Sequence, residues 1–307
     1  MSNISVSLRL GTRASPLAMV QAELVKRALL FAHDWPENRI EIVPVVASGD
    51  KVQDRPLADV GGKALWTKEL DAWLLSGDID FAVHSMKDVE TIRPPEFAIA
   101  AMLPRADVRD RLVGANSFSA IPQGAKLGTS APRRTAQIKR MRPDIQVALF
   151  RGNVQTRLRK LADGDVTATL LAAAGLERLG MDNVGVPIPV ETMLPAPAQG
   201  AIGVECLVSN QPVMEWLDQI DHKATHVCVA AERAVLAALA ADCRSPVAAL
   251  ALKDGEHIWL RAEILSMDGR EHVSGEKRYL AESDIAPAAL ADELLERASP
   301  QLRAIFG

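Results

Sequence analysis

Aromatic residues are scarce in this chain. Phe, Trp and Tyr make up 4% of its 307 residues, with a single tyrosine, which argues against the base-stacking platforms that grip single-stranded nucleic acid. Basic charge is not in excess either: 35 Lys and Arg against 39 Asp and Glu leave a net charge of −4. General attraction to nucleic acid or to an anionic membrane is therefore not expected. No apolar run approaches the ~20 residues of a membrane-spanning helix, and Met1 to Leu10 lacks the basic start and apolar stretch of a signal peptide. The three cysteines, Cys206, Cys228 and Cys243, are odd in number and without CxxC spacing. That usage suits a reducing cytoplasm better than a disulfide framework. The dinucleotide fingerprint, the Walker phosphate loop and the GxSxG elbow are all missing; Gly61-Gly62-Lys63 with Lys51 lacks the spacing of a phosphate loop.

What is present is the pattern of an α/β protein with an α+β end. The length fits two or three domains, and a hydrophobic content of 48% with 24% charged residues fits a soluble globular chain. Strands are expected over 5–10, 40–46, 79–85, 97–103, 146–150, 167–171 and 200–207. Helices are expected over 16–31, 65–76, 132–141, 173–179, 225–241 and, as one closing helix, 285–305. Ser15 followed by Pro16 is a helix-start signal, and 47–63 reads as a polar loop. Leu127-Gly128-Thr129-Ser130-Ala131-Pro132 echoes Leu10-Gly11-Thr12-Arg13-Ala14-Ser15-Pro16, which suggests two similar lobes, each presenting a helix N-terminus to an anion. The prolines at 187, 189, 195 and 197 mark a linker. Three strands from Val247 to Tyr279, joined by Asp-Gly turns, form a small antiparallel sheet. The expected domains are 1–104 with 200–220, then 105–199, then 221–307.

The chemistry-bearing residues gather at strand exits. Asp80 to Val89 reads as an apolar strand running directly into Lys87-Asp88, and ligands of open α/β sheets bind beyond strand carboxyl ends. Arg13, Arg133, Arg134, Arg151 and Arg157 fall at such exits or in first helical turns; guanidinium forks suit carboxylates or phosphates. Read alone, the Lys-Asp pair is a solvated strand end and the arginines are as well explained by a scattered surface; their shared position favours a polyanion site. His84 reads as a core histidine, and Cys206 and Cys228 as inert. His222 and His226 with Cys228 lack the further ligands of a zinc site, so no metal is expected. Cys243 lies in a turn, beside Asp242 and Arg244.

Several longer motifs, in order, resemble the porphobilinogen deaminase (hydroxymethylbilane synthase) family. They are Val60-Gly61-Gly62-Lys63 with Lys68-Glu69, His84-Ser85-Met86-Lys87-Asp88, Gly128-Thr129-Ser130 with Arg133-Arg134, Arg151-Gly152-Asn153-Val154-Gln155-Thr156-Arg157 and Gln199-Gly200-Ala201. The resemblance implies two lobes like periplasmic anion-binding proteins plus an α+β C-terminal domain. It implies a dipyrromethane cofactor self-assembled from porphobilinogen and held as a thioether on Cys243. Four porphobilinogens would be condensed with loss of ammonia, and hydrolysis would release hydroxymethylbilane for tetrapyrrole and haem biosynthesis. Asp88 matches the catalytic aspartate. Lys87, Thr129, Ser130, Arg133 and Arg134 would hold the cofactor, and Arg13, Ser15, Arg151, Arg157, Arg178 and Gln199 the substrate carboxylates. A cytoplasmic monomer is expected.

Some positions depart from the family pattern. Ala241-Asp242 precede Cys243 where two glycines are usual, Ala131 replaces a serine, and Glu90 replaces a proline; Trp66 stands for a phenylalanine, and Pro197-Ala198 alter the hinge. Arg151 is expected to bury no core, so that Arg151→Leu would scarcely move the unfolding midpoint. Two rivals are a two-lobed anion-binding protein without catalysis and a deaminase-like protein unable to load its cofactor. Intact mass separates them.

Overall fold

The computed structural model describes residues 7–45, 67–283 and 285–306; the expectations placed on loop 47–63 and Trp66 lie outside these residues. In chain order the elements are β1 (Leu8–Arg13), α1 (Pro16–His33), β2 (Ile40–Val45), α2 (Lys68–Ser76), β3 (Phe81–Ser85), β4 (Phe97–Met102), β5 (Asp110–Val113), β6 (Lys126–Gly128) and α3 (Pro132–Met141). There follow β7 (Gln146–Ala148), α4 (Val154–Ala162), β8 (Ala168–Ala172), α5 (Ala173–Arg178), β9 (Val186–Pro187), β10 (Ile202–Leu207), α6 (Gln211–Asp218) and α7 (Lys223–Ala238). The chain ends with β11 (Val247–Asp254), β12 (His257–Leu265), β13 (His272–Leu280), α8 (Ala286–Arg297) and α9 (Pro300–Arg303).

The chain divides into two compact units, 1–105 with 201–226, and 106–200 with 227–307. The first holds a sheet in the order β2-β1-β3-β10-β4, the second a sheet in the order β7-β6-β8-β5-β9. These are the same arrangement. In each, three strands are parallel, the fourth runs against them, and the fifth pairs antiparallel with the fourth. The echo between Gly11-Thr12 and Gly128-Thr129 is thus topological, since β1 and β6 occupy the same place. Both glycines are needed for close packing: a Cβ on Gly11 would lie 2.3 Å from Ile79, and one on Gly128 2.5 Å from the Phe150 ring. β1 continues through Gly11-Thr12-Arg13, where a turn is expected, because those residues pair in register with Val43 to Val45 of β2.

The first lobe buries Leu10, Phe81, Val83 and Val204 beneath α1 and α6. On the other face, Leu70 and Leu74 of α2 meet Ile79 and Phe97. The second unit contains the lobe core around Leu127, Ile138 and Leu170 and a separate core under the three-stranded sheet β11-β12-β13. The fold is two α/β lobes and an α+β C-terminal domain. The single closing helix expected over 285–305 is two: α8 stops at Ala298, and Ser299 accepts the Leu302 N–H to start α9 at Pro300. Proline cannot continue the previous ladder, but it suits a first helical turn. Strand β5 and helix α6 were not expected from sequence. No helix among the described residues is long and apolar enough to cross a membrane.

Candidate active site

In the first unit the strand does not run straight into Lys87-Asp88. β3 ends at Ser85, and Met86-Lys87-Asp88 form a 3₁₀ turn closed by the Val89 N–H on the Met86 carbonyl at 3.3 Å. Met86 is buried beneath this turn against Gly203, where a Cβ would come within 2.1 Å of its sulfur. The turn thereby lifts Lys87 and Asp88 out, half-buried, at the strand's carboxyl end. Asp88 lines a small pocket with Arg13, Ser15, Gln21, His84 and Ser85. Ser15 caps α1 by accepting the Ala18 N–H at 3.3 Å, so its hydroxyl proton remains a donor. Gln21 and Ser85, neither singled out by sequence, are hydrogen-bonded at 2.9 Å.

Behind the pocket lies a buried ionic cluster. His84, rather than an isolated core histidine, sets Nε2 2.9 Å from Glu205 Oε2, and Glu205 has no exposure. Arg93 donates Nε–H to Glu205 at 2.7 Å and NH2 to Asp71 at 2.6 Å, and it also pairs with Glu90. Burial alone would raise the Glu205 carboxyl, but His84 and Arg93 outweigh it and hold it below the usual range. Asp71 goes the other way: burial raises it more than Arg93 lowers it. The glutamate that replaces the family's proline after the Lys-Asp pair is therefore tied through Arg93 to α2 and β10.

In the second unit the organising group is Asp110, a residue the sequence reading passed over. Its carboxylate is fully enclosed and accepts Arg133 NH2 at 2.8 Å, Arg134 NH2 at 2.7 Å and the Gln199 amide at 2.9 Å. Burial raises the Asp110 carboxyl, yet the two guanidiniums overcome that and hold it far below the ordinary range. Arg133 and Arg134 are 4% and 6% exposed, not surface residues. Both lie in the first turn of α3, which has no side-chain cap, and the Nε–H of each lacks an acceptor among the described residues. Gln199 is aimed by its neighbours: Ala198 takes a left-handed φ of 63°, with its N–H on Glu232 at 2.6 Å, and Gly200 takes φ 87°. Its amide also donates to the Val108 carbonyl at 2.8 Å.

The remaining predicted residues of this unit fall around the same sheet end. Thr129 is buried, its hydroxyl oxygen taking the Ala131 N–H at 3.2 Å; Ser130 is half-buried. Arg151, expected to bury no core, is itself buried at 7% exposure. Gly152 follows at φ 122°, and Arg157 donates Nε–H to its carbonyl at 2.9 Å. Arg178 donates to the Gly200 carbonyl at 2.6 Å and pairs with no carboxylate among the described residues. Burial pushes its guanidinium down to about 10, with only Glu177 opposing.

Cys243 is exposed, whereas Cys206 and Cys228 are buried. The turn that presents it needs no glycine at 241 or 242. The left-handed residue is Ala240, φ 49°, which ends α7 with the Ala241 N–H on the Leu236 carbonyl. Asp242 then closes the turn, accepting the Arg244 N–H at 2.8 Å while its carboxylate pairs with the Arg244 guanidinium at 2.6 Å. Arg244 is thus engaged by Asp242.

His222 and His226 serve the start of α7. His222 Nδ1 accepts the Thr225 N–H at 3.2 Å, and His226 bonds Asp221 at 2.8 Å. No cluster able to hold a metal ion occurs among the described residues. A polycarboxylate is a different matter. Two guanidiniums share one carboxylate, two buried Nε–H donors lack acceptors among the described residues, and Arg178 donates to a carbonyl with Glu177 to offset its charge, so positive charge is in excess where this unit's sheet ends. A dipyrromethane, carrying carboxylates and needing a thiol to attach to, fits these residues.

Residues 8–215 match the model of the porphobilinogen deaminase dipyromethane cofactor binding domain, and residues 226–296 that of the porphobilinogen deaminase C-terminal domain. The porphobilinogen deaminase of Sphingopyxis alaskensis is 54% identical over 305 residues, covering 97% of this chain and 96% of that protein. Among solved structures, the second substrate-binding domain of Lactococcus lactis GlnP aligns at 11% identity over 71% of this chain and 88% of that one, with a TM-score of 0.41. A periplasmic solute-binding protein from Desulfovibrio salexigens aligns at 11% identity over 72% of this chain and 74% of that one, also at 0.41. The two deaminase domain models together span most of the sequence, and on that ground the chain belongs to the porphobilinogen deaminase family.

Proposed function

We propose that Asp88 is the catalytic carboxylate of a hydroxymethylbilane synthase whose second unit holds the carboxylates of a growing pyrrole chain. The observation that carries this is the surplus of buried guanidinium around Asp110, in a chain with net charge −4. Bound through Cys243, a dipyrromethane supplies the pyrrole end to which each new unit is added.

The protein's own residues do the rest. Each porphobilinogen brings two carboxylates, and bidentate guanidinium contacts suit them better than ammonium. Arg133 and Arg134, with Thr129, Ser130 and Lys87, hold the cofactor. Arg13, Ser15, Arg151, Arg157 and Arg178 receive substrate, and Gln199 acts by fixing Asp110. Arg178, already desolvated and unpaired with a carboxylate among the described residues, gives up little hydration when an anion arrives.

Departure of ammonia from an arriving porphobilinogen leaves positive charge shared between its ring nitrogen and the exposed methylene carbon. A carboxylate aimed at the pyrrole N–H stabilises that charge as it develops and can move the proton lost on C–C bond formation. Asp88 sits on a turn fixed by Met86 and Glu90, so its position is set before substrate enters.

Intact mass of the purified protein tests the reading. The expected result is an excess of two pyrrole units that disappears in Cys243→Ala. An active wild-type protein of unmodified mass would overturn it.

A further inference from the structure

Glu263 lies on β12 of the three-stranded sheet, buried at 5% exposure, yet it belongs to no motif. One oxygen accepts the Gln137 amide at 2.5 Å, and the other lies 2.9 Å from His272 Nε2 on β13. His272 is the diagonal cross-strand neighbour, since Glu263 pairs with Ser274. Arg140, on α3, approaches Glu263 at 3.8 Å. Burial raises the Glu263 carboxyl, but His272 and Gln137 hold it below the usual range.

Gln137, 2% exposed, passes this contact on. Its amide nitrogen donates to Glu263 and to the Leu194 carbonyl at 2.9 Å, so its oxygen must face the other way, and there it accepts Arg133 NH1 at 2.9 Å. Arg133 in turn donates to Asp110. A side-chain amide has one acceptor end and one donor end; Glu263 and the Leu194 carbonyl, which also accepts Arg133 NH1 at 2.9 Å, together decide which end Arg133 meets. A second contact holds the same hairpin on the same helix. The β12–β13 turn is pressed against α3 so closely that a Cβ on Gly269 would lie 2.4 Å from the Arg140 nitrogen and 2.6 Å from the Ala136 carbonyl.

We infer that Glu263 is a positioning residue for Arg133, acting through Gln137, and that it sets the anchor for the cofactor's carboxylates relative to its covalent anchor. The covalent anchor, Cys243, lies in the turn that leads into β11, the strand where Ala248 pairs with Glu263. Chains of satisfied buried hydrogen bonds hold side chains to one orientation, and a binding group displaced by about 1 Å can lose about 10²-fold in rate. This inference rests on the function proposed above: it concerns how the cofactor is loaded, not whether one exists.

The test uses full-length protein freed of cofactor by expression without porphobilinogen, then given porphobilinogen. Intact mass follows the gain of two pyrrole units, and thermal midpoints are taken before and after loading. Glu263→Leu and Gln137→Met are expected to load at least about tenfold more slowly and to lose most of the rise in midpoint that loading gives wild type. The double variant should be no slower than either single one. Glu263→Gln, which still offers an oxygen to Gln137, should load near the wild-type rate. A residue that only glues the hairpin to α3 would lower both midpoints equally and leave the loading rate unchanged; that result in a folded Glu263→Leu or Gln137→Met overturns the inference. A wild-type chain that never gains two pyrrole units overturns the proposed function instead.

Discussion

Arg93 donates its Nε–H to the fully buried carboxylate of Glu205 at 2.7 Å. The same guanidinium serves Asp71 and Glu90, so one cation holds three carboxylates. Removing one partner of a buried ionic group costs about 3–5 kcal/mol, because the other charge stays buried and unpaired. Arg93→Leu should lower stability by that order, read as a drop in the urea midpoint. A change under about 1 kcal/mol would mean the cluster opens to water.

Three of the buried carboxyls give acid sensitivity a definite sign. Asp110, Glu205 and Glu263 are all held below their ordinary values in the folded chain. A depressed folded pKa contributes stability that is complete above the unfolded value, near 4, and is lost as pH falls toward the folded one. Asp71, raised by burial, contributes the opposite way. Asp107, Asp144, Asp221 and Asp268 are lowered as well, so the urea midpoint should hold near neutrality and fall steadily below about pH 4; a flat profile there would contradict the pairing around Asp110.

Asp88→Ala should fold, keep the two-pyrrole mass already loaded on Cys243, and turn over porphobilinogen at least about 10²-fold more slowly. Near-normal turnover would remove Asp88 from the centre of the reaction.

Arg178→Leu separates binding from stability. Its guanidinium is pushed down to about 10 by burial, with only Glu177 opposing and no ion pair among the described residues, so an apolar replacement relieves a desolvation cost and should leave the melting temperature within about 2 °C or raise it. KM for porphobilinogen should rise about tenfold, the loss of one charge-assisted contact. A melting temperature that collapses would make Arg178 structural.

Thiol labelling reads the cofactor state directly. Cys206 and Cys228 are buried, and burial pushes the Cys206 thiol up to about 11. A thiol reagent applied to the folded chain should modify one cysteine before cofactor loading and none afterwards, counted by intact mass. Labelling of the loaded protein at Cys243 would exclude a thioether there.

Motif order made the family legible in the sequence, and periodicity made most elements legible. Ser15-Pro16 marks the start of α1, and Pro132 to Met141 is helical over the expected range. The misses share a cause. Residues 86–88 form a turn because Met86 packs on Gly203, a contact between residues more than a hundred apart in sequence. Asp110 gives no local signal, since an aspartate at a strand start is ordinary until two arginines and a glutamine close on it. Arg151 was expected to bury no core because charged side chains are exposed on average; the side chain is itself buried. At Cys243 the expected glycines are dispensable because the left-handed residue falls earlier, at Ala240, and Asp242 supplies its own acceptors.

The strand order of the two sheets also has a consequence for synthesis. β10 lies between β3 and β4, although about a hundred residues separate it from β4 in the chain. Until it emerges from the ribosome, the first lobe has two strands with no partner between them. The sheet β7-β6-β8-β5-β9 needs nothing beyond Pro187. N-terminal domains usually fold first during translation; in this chain the second sheet can be complete while the first still waits for the strand that joins β3 to β4.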